Sequence, residues 1–174
     1  MAATHDIRAV RPEDASGIAA IYAPYVTETP ISFELVAPTT AEIQRRIEEH
    51  PAPHPWLVCE RDGEVLGYAY ASPHRAREAY RWSVDVSAYV RKGATRQGIG
   101  RSLYEALIPR LRELGFANAF AGIALPNAAS VALHEGAGFA HLGTYRRVGY
   151  KLGAWHDVGW WQLMLAAGDH GPRM

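Results

Sequence analysis

The run Thr95-Arg96-Gln97-Gly98-Ile99-Gly100 stands directly ahead of a stretch with helical apolar spacing at Leu103, Leu107, Leu111 and Leu114. Glycines admit a ligand close to the main chain, and the free N–H groups at a helix start, with the positive end of its dipole, favour an anion such as a phosphate. The two familiar cradles do not fit. Arg101, Ser102 and Leu103 follow Gly98-Ile99-Gly100, so there is neither the Gly-Lys-Ser/Thr of a P-loop nor the third glycine of a dinucleotide loop. From the loop alone a plain turn is the better supported reading, because short glycine-rich loops are common. Asp85 interrupts an otherwise apolar or neutral strand just before this loop, as a general base would, although alternation equally allows a solvent-facing carboxylate. His134 could move protons near neutral pH, or merely cap a short helix. Arg75 and Arg77 could grip an anion bidentately or form a solvated charge cluster. His50 and His54 lie in a proline-rich segment with no third ligand in view and read as a surface turn, so no metal is expected.

The chain of 174 residues, 48% hydrophobic and 21% charged, has the composition of one domain with a real core. Eighteen basic residues balance eighteen acidic ones, and no Lys/Arg run stands out, which argues against nucleic acid or an anionic membrane as partner. A small-molecule ligand is expected. The single cysteine, Cys59, reads as a small buried hydrophobe and fits a reducing compartment. With no apolar leader at the first residues and no run of membrane-spanning length, a cytoplasmic location is expected.

These residues need elements to hold them. A strand at Ile7–Val10 precedes a helix launched at Pro12-Glu13-Asp14, with Ile18, Ile21, Tyr22 and Tyr25 at helical spacing. Thr39-Thr40-Ala41-Glu42 reads as a capping box before Ile43 and Ile47. Asp62-Gly63 joins Trp56–Glu60 and Val65–Tyr70 in a hairpin, and Arg81–Val90 is a further strand. The glycine loop then starts a helix in which Pro109 predicts a bend and Gly115 a stop. A strand at Phe116–Leu125, a helix at about Ala128–Glu135, and strands near Phe139–Tyr145 and Val158–Leu165 complete the order β-α-α-β-β-β-α-β-α-β-β.

That order, with Asn127-x-x-Ser130-x-x-Leu133-His134-Glu135-x-x-Gly138-Phe139 following the loop, resembles the GNAT superfamily of acetyl-CoA-dependent N-acetyltransferases. Pro55–Val58, Gly67–Tyr70, Ala76–Trp82, the Leu125-Pro126-Asn127 turn and Gly153–Leu163 look more narrowly like the phosphinothricin and methionine-sulfoximine acetyltransferases, from about Ile7 to Leu165. The resemblance implies one α/β GNAT domain over residues 1–174, with its core at about 7–165 and a mixed, mostly antiparallel sheet flanked by helices. It implies acetyl transfer from acetyl-CoA to the α-amine of a small amino-acid analogue.

By the same resemblance, Arg96, Gln97, Gly98, Ile99, Gly100 and Arg101 hold the pyrophosphate of coenzyme A, with Thr95 standing where Gln or Arg is usual. Ala88, Tyr89 and Val90 offer main-chain hydrogen bonds to the pantetheine arm, and Asn127 and Ser130 touch it farther along. Asp85 becomes the base, shorter than the Glu of many relatives and so acting through water. His134 stands where the wider family places the Tyr that protonates the departing thiolate. Arg75 and Arg77 would hold a carboxylate or phosphinate, with Phe33, Tyr80 and Trp82 as walls. Lys151, Trp155 and Asp157 would complete the site in their own or a neighbouring subunit, and a homodimer is expected. One rival is an acetyltransferase of protein N-termini or other amines, which needs an open groove. Another is a non-catalytic acetyl-CoA sensor, which has no use for Asp85 or His134.

Overall fold

The computed structural model describes residues 5–167, so the expected domain limits at 1 and 174 lie outside the described residues. The elements are β1 (Asp6–Ala9), α1 (Ala15–Thr27) entered through a 3-10 turn at Pro12–Asp14, α2 (Thr40–Glu48), β2 (Trp56–Arg61), β3 (Glu64–Pro73) and β4 (Ser83–Val90). They continue with α3 (Ile99–Glu113), β5 (Asn118–Leu125), α4 (Ala128–Gly136), β6 (Ala140–Lys151) and β7 (Ala154–Met164). Their order is the one the sequence predicts. The sheet runs β1-β2-β3-β4-β5-β7-β6, with β4–β5 as its parallel pair.

Local chemistry explains most of these elements. Asp62 (φ 52°) and Gly63 (φ 79°) supply the left-handed pair that a two-residue hairpin turn demands. The Thr39 hydroxyl caps α2 by accepting from Glu42 N at 3.2 Å. The Glu42 carboxylate, instead of closing a capping box, accepts from Arg45 and Arg46. Alternation along β2 and β3 sends Val58 and Tyr68 to α1 and α2 on one face, and Cys59, Ala69 and Ala71 to α3 on the other, giving a core on each side of the sheet. Leu103, Leu107 and Leu111 of α3 are fully buried, and the helix passes through Pro109 without a break until Gly115 turns left-handed.

The last hairpin departs from expectation. Its strands extend over Ala140–Lys151 and Ala154–Met164, well past the expected Phe139–Tyr145 and Val158–Leu165. The register slips between Tyr145 and Gly149, and much of β6 is exposed, so period-two alternation, the signal by which strands are read, is lost there.

The feature that matters most for the site is a fork. Strands β4 and β5 pair only at Ser83↔Asn118, Val84↔Ala119 and Asp85↔Phe120, and beyond that point they part. His74 N–H to Ser83 O and Arg91 N–H to Leu66 O mark the β3-facing residues of β4. Alternation therefore turns the main chain of Ala88 and Val90 into the gap, and that of Gly122 and Ala124 from the β5 side.

Candidate active site

Three hollows share walls along the fork. A basin of about 500 Å³ lies at the glycine loop, a neck of about 50 Å³ between the parted strands, and a chamber of about 650 Å³ beyond. Ala88, Asn127 and Ser130 border both basin and neck, while Val86, Ser87 and Gly122 border both neck and chamber. One path thus joins the glycine loop at the start of α3 to the chamber beyond the parted strands.

At the basin, Arg96 (φ 63°) and Gly98 (φ 79°) adopt left-handed backbone and curl the loop onto the start of α3. The first helical bond there is Ser102 N–H to Gly98 O at 2.9 Å, so the N–H groups of Ile99, Gly100 and Arg101 have no partner within the helix. Nothing lies within 4 Å of where a Gly98 side chain would project. Free N–H groups at the positive end of a long helix, beside open space, suit a pyrophosphate. Arg96 and Arg101 line the basin, but Gln97 does not: its side-chain oxygen accepts from Arg61 at 3.2 Å. A short loop that curls this tightly cannot point every side chain at one ligand.

In the neck, Asn127 caps α4 by accepting from Ser130 N–H at 3.1 Å. His134 is buried, with Nδ1 at 2.7 Å from the Ser130 carbonyl and Nε2 at 2.8 Å from the Tyr104 hydroxyl. A carbonyl only accepts, so Nδ1 carries the proton; burial holds the ring below its ordinary pKa and favours the neutral form. Neither ring nitrogen is free. Tyr89, between Ala88 and Val90, turns its main chain to β3 and its ring against Tyr22, Tyr25 and Tyr68, and the Val90 carbonyl accepts from Tyr25 OH at 2.6 Å. Main-chain contacts to a ligand in the gap thus fall to Ala88 and Val90 rather than to all three residues.

Asp85 lies at the crotch of the fork, in the last paired position of β4, and its side chain lines the chamber. Burial raises its pKa, while the hydrogen bond and charge of His74 and the charge of Arg75 pull it down; the net direction is upward. Phe33 and Trp160 also wall the chamber. Of the expected anion-holding residues, Arg75 does not line the chamber but places its guanidinium 6.0 Å from the ring of Trp160, one of the chamber walls, and donates to the His74 carbonyl. Arg77 is exposed beyond the end of β3, and Trp82 is covered by Arg81 at 5.0 Å; neither borders the chamber. Lys151 is buried and donates to the Ser32 carbonyl, clamping the α1–α2 loop to β6 rather than facing a ligand. Asp157 is tied to Arg146 and to the Arg147 N–H, and Trp155 is exposed on the hairpin. Among the described residues no group of His, Cys, Asp and Glu is placed to hold a metal, and no helix is long and apolar enough to cross a membrane.

The family model for the acetyltransferase (GNAT) domain matches residues 7–160. The chain belongs to the GNAT acetyltransferases. It is 43% identical over 163 residues to a phosphinothricin N-acetyltransferase of Streptomyces coelicolor, a match covering 90% of this chain and 95% of the relative. A GNAT phosphinothricin acetyltransferase of Sinorhizobium meliloti, solved with acetyl-CoA, superposes with a TM-score of 0.93 at 34% identity, covering 98% of this chain and 94% of the other. A ribosomal-protein-alanine N-acetyltransferase of Brucella melitensis superposes with a TM-score of 0.85 at 36% identity, covering 91% and 99%.

Several residues of this GNAT site escaped the sequence reading. Tyr22, Ser32 and Glu34 reach the chamber from α1 and its following loop, and Trp160 from β7. His74 is the most consequential. Once β3 and β4 are paired in register, Ser72 falls opposite Asp85, which leaves His74 two residues on and on the same face; strand register was the signal that could have found it.

Proposed function

We propose that this GNAT enzyme transfers acetyl from acetyl-CoA to the α-amino group of a small amino-acid analogue of the phosphinothricin or methionine-sulfoximine type. The observation that carries the reading is the placement of Asp85 at the fork, bordering a chamber joined through the neck to the anion-binding end of α3. Acetyl-CoA supplies the activated thioester. Ile99, Gly100 and Arg101 offer N–H groups to its pyrophosphate, and Ala88 and Val90 align its arm along β4.

The amine arrives as an ammonium, and Asp85 accepts the proton that must leave before nitrogen can attack. His134, neutral with both nitrogens engaged, holds the Ser130 turn and its hydroxyl, 3.4 Å from Nδ1, at the neck, and the departing thiolate takes the second proton, which the nitrogen sheds once its bond to the acetyl carbon has formed. Arg75, beside the chamber wall Trp160, holds the anionic or dipolar end of the side chain. The exposed apolar residues of the β6–β7 hairpin, Tyr150, Leu152 and Trp155 among them, support a homodimer formed through it.

A second reading, acetylation of a peptide N-terminus, is favoured by the likeness to the ribosomal-protein-alanine enzyme. Against it, Phe33 crosses to β6 and narrows the chamber. Specificity constants for phosphinothricin, methionine sulfoximine, methionine sulfone and a short peptide, read as free thiol released, separate the two. The expected order puts an analogue first, with Arg75→Ala costing it on the order of tenfold and Arg77→Ala little. A peptide that outruns all three analogues, with no penalty from Arg75→Ala, establishes the second reading instead.

A further inference from the structure

Asp85 does not stand alone. His74, just past the end of β3, places Nδ1 2.6 Å from Asp85 Oδ1. A carboxylate only accepts, so Nδ1 carries the proton and donates it. The imidazole is fixed on three sides: it stacks on Phe120 of β5 at 4.4 Å, and lies edge-on to Tyr80 at 5.8 Å and to Trp160 at 6.3 Å. Its main-chain N–H bonds to the Ser83 carbonyl, so backbone and ring are both held. His74 itself does not border the chamber, whereas Asp85 does.

We propose that His74 is a positioning residue for Asp85, holding Oδ1 so that the other carboxylate oxygen faces the amine as its proton acceptor. The inference rests on the acetyl-transfer reading of the chamber and adds to it the group that makes its base competent. Burial alone would keep Asp85 protonated to higher pH, and a protonated carboxyl cannot take the ammonium proton. The donated hydrogen bond opposes this. Other groups facing the pair are few. Arg75 on the same segment favours the carboxylate, Glu34 reaches the chamber from the α1–α2 loop, and Tyr70 of β3 and Tyr80 flank it. Phe120 of β5 and Trp160 of β7 carry no charge. In the proton transfer, the substrate N–H bond breaks as an O–H bond forms on Asp85, and His74 keeps its own proton throughout.

The test is the pH profile of kcat/KM for the best analogue in the wild type and in His74→Phe, His74→Asn and Asp85→Asn, each checked for folding by thermal melting and for acetyl-CoA affinity. Phe preserves the stack on Phe120 and removes the donor. The acidic limb should move up by about one pH unit, a loss of about tenfold at pH values on the limb, with recovery at higher pH and unchanged acetyl-CoA binding. Asn, which can donate from near the Nδ1 position, should keep the limb near its wild-type place. If His74→Phe is unstable, the same limb is read in His74→Leu. An unmoved limb in a folded His74 variant, alongside an inactive Asp85→Asn, overturns the role of His74 and leaves the base intact. An Asp85→Asn enzyme with wild-type activity and profile overturns both.

Discussion

Gly98 shows how much one residue can decide. Its φ of 79° is a conformation that side chains rarely adopt, yet a Cβ there would meet no neighbour. The demand for glycine is conformational in the free protein and steric only once a phosphate occupies the loop. Gly98→Val should therefore cost about 1–2 kcal/mol of stability and, in addition, weaken acetyl-CoA binding, as calorimetric titration would show; full affinity in the folded variant would remove the loop from the cofactor seat. The loop alone read as a plain turn, and this position gained a meaning only through the family resemblance of the Thr95–Gly100 run. Asp85 stood out as a carboxylate in an otherwise apolar or neutral strand, but alternation left its direction open until the fold turned it into the chamber. His74 was not legible, since its meaning lies in a partner eleven residues away across a hairpin, and only register reveals it.

Between elements, the contact of Phe33 with β6 is the most exacting. A side chain at Gly149 would come within 2.5 Å of Phe33 Cζ, so the bare main chain of β6 is what lets the α1–α2 loop lie across the chamber. The loop is pinned beside it, with the Ser32 carbonyl accepting from Lys151 and its hydroxyl 2.7 Å from Tyr22 OH. Gly149→Ala should expel the ring, raising KM for the amino-acid substrate roughly fivefold through loss of about 1 kcal/mol of aromatic contact, with little change in acetyl-CoA affinity; steady-state kinetics in each substrate separate the two. At the other end of the sheet, Arg8 of β1 grips the buried Asp14 through two bonds of 2.8 Å and also reaches Glu60 of β2. Burial alone would raise the Asp14 pKa, but Arg8 and the Arg11 N–H outweigh it and hold it below the usual range. Its stabilising contribution is thus present above the ordinary carboxylate pKa and fades as pH falls through the lowered one. Arg8→Ala should lose about 3 kcal/mol near pH 7, and denaturant midpoints should show that deficit shrinking in acid. The glycine that admits Phe33 was invisible in sequence, because a strand glycine announces nothing about the loop that crosses it.

As a whole the molecule is electrically balanced, with 18 basic and 18 acidic residues, so no net charge opposes self-association. Apart from Leu35 and Val36 on the α1–α2 loop, most of its exposed large apolar side chains gather on the last hairpin, with Tyr150 and Leu152 each 59% exposed and Trp155 52%. Sedimentation at micromolar concentration should find two chains per particle, and Tyr150→Ser combined with Trp155→Glu should yield single chains; a monomeric wild type would reject the dimer. The order of the elements was readable, while the length of that hairpin was not, since much of β6 is exposed and its register slips. The fork between β4 and β5 has one more consequence. Ala88, Val90, Gly122 and Ala124 direct main-chain amides into the gap where the sheet leaves them without a strand partner. In the free protein these amides should trade their hydrogens with deuterated solvent far faster than neighbouring, strand-paired positions such as Ala69 or Ala121, and those that acetyl-CoA engages should slow when it binds. The backbone itself would then serve as an isotope-readable gauge of occupancy, needing no label, no substitution and no turnover.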